Sequence, residues 1–268
     1  VFHTTGDEPR HPPGPGTRSR GGGRVCESEM AMGRFLTVEE VARFLGMGIP
    51  EASRLLDRSS LASRMVAGVP RYLTEEIYRW MEQQVGSSAV ERLREVDAAA
   101  SRDSGFNPKG PFVSGMLGPD RVFHDLPVNT KPSLLRQLAH LACSTGAVYD
   151  EKGLLRLLEE REQAASTAVI DRVAFPHPAR MGELYTEADL LLLVRTSRPL
   201  PFGAPHGKLT SLFFLLLFRD PIAHIHVLAR LAGLLRRSSL AEELLEAASA
   251  EDMSLLVETA EMGFIGAR

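Results

Sequence analysis

Residues 173–177 read Val-Ala-Phe-Pro-His, a short apolar, β-prone stretch that ends on a histidine. A second β-prone run at 167–170 precedes it, and Asp171-Arg172 supplies a tight turn between the two. Neutral imidazole is a good nucleophile near neutral pH without a second activating base. Held at a strand exit with Arg180 just beyond, His177 has the chemistry of a nitrogen that accepts a phosphoryl group. The pentapeptide alone describes an ordinary strand-exit histidine equally well. The weight therefore falls on what distant segments bring to it.

Two segments bring something. The spacing predicts a helix over 151–161 whose buried stripe is Leu154, Leu157 and Leu158. Arg161 follows Leu158 by three positions and shares that stripe. A guanidinium there needs an anionic partner or a wet cleft, unless it snorkels to solvent from the last turn. A second helix is predicted over 221–236, with Val227, Leu228, Leu231 and Leu235 as its apolar face. His224 points the same way, as a site residue or as a core histidine bonded to a carbonyl. His226, turned by about 200° from it, is expected to face solvent.

Further helices are expected over 131–143, 240–248 and 250–260, and strands near 167–170, 173–176, 189–194 and 211–218. Ser239 with Glu242 reads as a capping box, and Asp220-Pro221 as a cap with a proline at the first helical position. Strands interleaved with helices indicate a layered α/β domain.

A smaller unit is expected over 35–84. Thr37 and Glu40 form a capping box ahead of Val38, Val41, Ala42 and Leu45. Gly46 and Gly48 break that helix, and Pro50 opens another that runs to about Asp57. Ala67-Gly68 marks a hairpin, and Thr74 caps a third helix carrying Ile77, Trp80 and Met81. Residues 85–119 read as linker, with a short helix over 90–100 and a Gly/Pro-rich stretch at 106–118. Residues 1–34, poor in apolar side chains, are expected to be a disordered tail. The chain begins with Val; Met30 or Met32, just ahead of the first patterned segment, is the expected translation start, the alternative being that these residues are a tail. Residues 263–268 read as a tail.

The composition is that of a globular protein: 44% hydrophobic over 268 residues, with a net charge of −3. No global basic field advertises nucleic acid. Cys26 and Cys143 stand far apart, outside any metal-finger spacing, as in a reducing compartment. No apolar run approaches a membrane span and no signal peptide is evident, so a cytoplasmic protein is expected. A three-histidine metal site at His177, His206 and His224 is disfavoured, because no Cys, Asp or Glu accompanies them at ligand spacing. No cofactor is expected.

Residues from about 120 to 262 resemble the enzyme IIA domain of the bacterial sugar phosphotransferase system, of the fructose/mannitol and nitrogen-regulatory type. The resemblance runs through Leu-Glu-Glu-Arg-Glu (158–162), Ala-Ser-Thr (165–167), Val-Ala-Phe-Pro-His (173–177), Pro-Phe-Gly-Ala (201–204), Gly207-Lys208, the apolar run 212–218, and His224 leading into 228–232. It implies a three-layer mixed-sheet fold and a phosphoryl acceptor at His177. It also implies a second active-site histidine at His224, a phosphate-binding arginine at Arg161, Arg180 at the periphery, and a histidine phosphocarrier as partner. The chain departs from the family's usual glycines at Ala168, Ile170, Asp171 and Arg172. It also departs at Pro178, which lacks a backbone donor, and at His206, where an acidic residue is common. An interaction or sensor module with a degenerate pocket is the alternative expectation, and whether the chain is an enzyme stays open at this point.

Residues 35–84 resemble the excisionase-type winged helix, through the pattern at 35–42, Leu45-Gly46, the 61–68 stretch and the aromatics of 72–80. That resemblance implies DNA binding, with Arg54 and Arg58 on the recognition helix and Arg64 and Arg71 flanking the wing. Six arginines face seven carboxylates in this unit, a net charge of −1. Weak binding by one copy follows, and a homodimer or a protein-binding role would resolve it. The expectation is thus a regulatory phosphotransferase protein in which phosphorylation at His177 is coupled to DNA or partner binding, with transport by this chain itself not expected.

Overall fold

The computed structural model describes residues 35–45, 47–59, 61–74, 76–77, 79–80, 110–180 and 186–266. The expected tail over 1–34, the helix over 90–100 and most of the expected linker lie outside the described residues.

The first described unit has the order β1 (Phe35–Leu36), α1 (Val38–Leu45), α2 (Ile49–Arg58), β2 (Ser63–Val66) and β3 (Val69–Leu73). Thr37 and Glu40 close the capping box: Thr37 N–H donates to Glu40 Oε2 at 2.7 Å and Glu40 N–H to Thr37 Oγ1 at 3.2 Å. Ala67 and Gly68 both take positive φ, 51° and 78°, as a two-residue type I′ hairpin requires. β3 lies centrally, antiparallel to both β1 and β2. Val41, Ala42, Leu45, Ala52, Leu56, Tyr72 and Ile77 are buried.

The larger unit runs α3 (Val113–Met116), β4 (Val122–Leu126), α4 (Lys131–Ser144), α5 (Glu151–Ala164), β5 (Val173–Ala174), β6 (Leu190–Leu200), β7 (Thr210–Leu217), α6 (Pro221–Arg237), α7 (Leu240–Glu246) and α8 (Ala250–Gly266). Its sheet has the order β4-β6-β7-β5: β6 and β7 are antiparallel, and β4 and β5 run parallel to their neighbours. The leucine-rich runs of β6 and β7 are buried on both faces, which explains why they lack a polar alternation. Leu191, Leu193, Leu212, Phe214 and Leu216 pack with α6, α7 and α8. Leu190, Leu192, Val194, Phe213, Leu215 and Leu217 pack with α4 and α5 on the opposite face. The result is a mixed sheet between two helical layers. Among the described residues, no helix is long and apolar enough to cross a membrane.

Five expectations are corrected. Residues 167–170 form no strand. Thr167 N–H donates to the Glu162 carboxylate at 2.9 Å, so it cannot serve a ladder, and the turn leaves only an Ile170–Val173 bridge. Parts of the stretches read as linker and as tail are core: Val113 and Leu117, and Phe264 on α8, are buried in the α6–α8 layer. Ser239 makes no backbone cap; its hydroxyl donates to Glu243 instead. His226 faces no solvent; it is buried and stacks on Phe112, with centroids 4.2 Å apart at 18°. A helical wheel allows for one buried face, but here the 112–116 segment and α8 cover the far side of α6 as well.

That second cover also explains Arg230. Its Nη1 pairs with Glu261 Oε1 at 3.1 Å, both side chains fully buried. The same carboxylate accepts from the N–H groups of Phe112, Val113 and Ser114 and from the Ser114 hydroxyl. Guanidinium and carboxylate thus share one satisfied polar cluster, the condition under which a buried ion pair is tolerated.

Candidate functional site

Three elements converge on His177. β5 delivers the segment 175–179, which the backbone pins at several points. Phe175 N–H donates to Thr167 O at 3.1 Å, Leu216 N–H to Pro176 O at 2.9 Å, and Ala179 N–H to Leu157 O at 3.0 Å. The imidazole is 4% exposed. Its Nδ1 lies 2.8 Å from Phe175 O, and its Nε2 accepts from Arg161 Nε at 2.8 Å. A carbonyl only accepts and an arginine only donates. His177 is therefore neutral, with its proton on Nδ1 and its lone pair on Nε2.

Arg161 stands in the last turn of α5. It keeps its guanidinium inside rather than snorkelling, since Nη1 donates to Ala165 O at 2.8 Å. Two nitrogens of one rigid plane are thus fixed at once, a geometry lysine cannot reproduce. His224 sits in the first turn of α6, fully buried, its ring 5.0 Å from that of His177 and inclined by 64°. Phe218 closes the other side of His224 at 6.0 Å.

The structure thus brings together Arg161, His177 and His224. Arg180 lies a little apart, where its Nη2 pairs with Glu160 at 2.7 Å. Glu160 also accepts from Arg156 at 2.8 Å. The Arg156 hydrogen bond, then that from Arg180, hold the Glu160 carboxyl below the usual carboxylate range against a partial desolvation. His206 is exposed in the 3-10 turn Pro205–Gly207 with φ 61°. Pro178 is buried and offers no N–H. Lys131 and Glu162, which pair with each other and reach the site through Thr167, were not singled out from the sequence; a carboxylate directly after the inward-facing Arg161 was the available signal.

In the first unit, Arg54 and Arg58 are exposed one turn apart on α2, and Arg54 Nε donates to Pro50 O at 3.1 Å. Arg64 on β2 lies opposite Arg71 on β3, with its guanidinium 5.6 Å from the centre of the Phe35 ring.

Residues 116–259 match the family described as phosphoenolpyruvate-dependent sugar phosphotransferase system, EIIA 2. The chain belongs to this family. Its EIIA region is 33% identical over 135 residues to a nitrogen regulatory protein of Bradyrhizobium diazoefficiens, covering 49% of this chain and 85% of that protein. A nitrogen regulatory protein of Pseudomonas aeruginosa is 25% identical over 150 residues, covering 55% and 96%. Among solved structures, nitrogen regulatory protein IIA-Ntr from Neisseria meningitidis is 28% identical with a TM-score of 0.49, covering 54% of this chain and 98% of that one. IIA mannitol from Escherichia coli is 20% identical with a TM-score of 0.47, covering 53% and 98%. The matched EIIA region contains all three converging side chains.

Proposed function

We propose that this chain is a regulatory phosphotransferase protein that accepts a phosphoryl group on His177 Nε2 from a histidine phosphocarrier. The carrying observation is the fixed tautomer: Nδ1–H is committed to Phe175 O, which leaves the lone pair on Nε2. In the reaction, Nε2 attacks phosphorus in line. The P–N bond to the donor imidazole breaks, and that imidazole leaves with the electron pair. No proton moves on His177, whose Nδ1–H stays on the carbonyl while the ring takes up positive charge. Arg161 exchanges its bond to Nε2 for bonds to equatorial oxygens, where fixed positive charge acts on a loose transition state. His224, edge-on to the acceptor ring, donates to a phosphoryl oxygen. Arg180 adds positive charge at the periphery.

The assay is transfer of label from phosphoenolpyruvate through the carrier and its kinase. Acid-labile label lost in His177→Ala is the expected result; no label from any carrier overturns the proposal. A second reading, carrier binding without transfer, draws on Pro178 and on the occupied Nε2. Normal carrier binding without label would select it.

We assign residues 35–84 to a winged helix, 85–111 to a linker and 112–266 to the EIIA domain, whose core takes in Val113, Leu117 and Phe264, with a tail at 1–34. Two helices followed by a hairpin, with β1 as third strand, support the first assignment. Phosphorylation at His177 would alter what this module binds, whether DNA through Arg54, Arg58, Arg64 and Arg71 or a protein partner. Directly opposed arginines weaken a hairpin by themselves, which suits a surface that meets a polyanion. A homodimer would compensate, through two linked contacts, for the weak binding expected of one copy.

A further inference from the structure

Linked to the Nδ1 side of His177 through Thr167 and Phe175 lies a charged pair, Glu162 buried and Lys131 partly exposed, that the transfer chemistry does not use. Glu162 Oε2 is 2.6 Å from Lys131 Nζ, with side-chain exposures of 2% and 28%. Glu162 Oε1 accepts from Thr167 N–H at 2.9 Å and also from the Thr167 hydroxyl. Lys131 donates in addition to Phe202 O at 3.0 Å, and its ammonium lies 4.6 Å from the Phe202 ring centre. Ser166 Oγ donates to that same carbonyl at 3.1 Å. Gly203, at φ 103°, lets the backbone pass where a Cβ would come within 3.0 Å of Ser166 Oγ.

The segment 166–168 is therefore bolted down by charge, and it in turn holds the histidine. Thr167 O accepts the N–H of Phe175, and Phe175 O accepts Nδ1–H of His177. We infer that Glu162, with Lys131 as its counter-charge, is a positioning residue for His177: through Thr167 it fixes residue 175, whose carbonyl selects the Nδ1–H tautomer. A charged acceptor bonds a backbone N–H about twice as strongly as a neutral one. A displacement of about 1 Å at a reacting atom can reduce a rate by roughly 100-fold. A charge placed three hydrogen bonds behind the nucleophile meets that requirement without touching the donor. The inference rests on the proposed phosphoryl acceptance for its consequence, but its geometric content can be read without it.

The test uses the full chain with ¹⁵N-labelled histidine. Wild type should show a single His177 tautomer, protonated at Nδ1. Glu162→Gln keeps the shape and removes the charge, and Lys131→Met removes the counter-charge while leaving both Thr167 bonds. Each should give a mixed tautomer signal and lower the kcat of phosphoryl transfer by about 10- to 100-fold, with KM for the carrier within about twofold. Lys131→Arg should restore both. Thermal unfolding checks that each variant is folded; should Glu162→Gln fail to fold, Lys131→Met and its arginine rescue decide the matter. Retention of the single tautomer in the folded variants overturns the inference whatever the rate. Loss of the tautomer in variants of a wild type that takes no label would support the positioning role and defeat the phosphoryl-transfer reading alone.

Discussion

Arg161 is expected to act in two opposite directions, and a single substitution separates them. In the resting site its Nε–H occupies the lone pair of His177 Nε2 at 2.8 Å, so it shields the nitrogen it would later assist. During transfer it stabilises charge on the phosphoryl oxygens instead. Arg161→Met removes both effects. A hydrogen bond to a charged group contributes about 1.5–3 kcal/mol, which corresponds to a loss of roughly 13- to 160-fold in phosphoryl-transfer rate. The uncovered Nε2 should meanwhile react faster with a small neutral electrophile. Diethyl pyrocarbonate, followed by mass mapping of His177, measures that rate, and label transfer from the phosphocarrier measures the other. The two rates should diverge, with carbethoxylation rising while phosphoryl transfer falls. A variant in which both rates fall, or in which transfer is unchanged within threefold, would refute it. Arg161→Lys should sit between, because a single ammonium on a flexible stem replaces two nitrogens held in one plane toward Ala165 O and His177 Nε2.

Glu261→Gln should destabilise the chain by about 3–5 kcal/mol in urea unfolding, since it leaves the buried Arg230 charge without its carboxylate. Arg230→Met should cost less, because four other donors still serve Glu261; the reverse order would discard this account. Glu160, whose carboxyl is held low in the fold, contributes stability that is present above its ordinary value of 4.5 and is lost as pH falls below it. Wild type should accordingly lose melting temperature more steeply than Glu160→Gln on acidification, and parallel profiles would count against the Arg156–Glu160–Arg180 cluster. If the front module binds DNA, Arg54→Ala/Arg58→Ala should lose retention in a binding selection, and equal retention would remove α2 as the reading helix.

Much of this fold is legible along the chain because its signals are local. The capping box at Thr37–Glu40 and the turn at Ala67-Gly68 depend on residues within four positions of each other. Likewise, the stripes of α5 and α6 repeat with the helical period. Those stripes also aimed Arg161 and His224 inward, where they are found beside His177. β4 was missed because five residues with Asp125 at φ 55° carry too weak an alternation. The strand expected at 167–170 failed because a carboxylate five residues upstream takes the N–H that a ladder would need.

What the amino-acid order determined by itself is which side chains point toward a core, since period and caps are short-range properties of the backbone. Which cores exist, and how many faces of a helix they cover, was decided only in three dimensions. His226 and Arg230 are buried because Phe112 and Glu261, more than a hundred residues from them or on another helix, fold over the far side of α6. The tautomer of His177 was settled in the same way. A histidine's proton goes where an acceptor waits, and that acceptor, the Phe175 carbonyl, is aimed by contacts no linear pattern records.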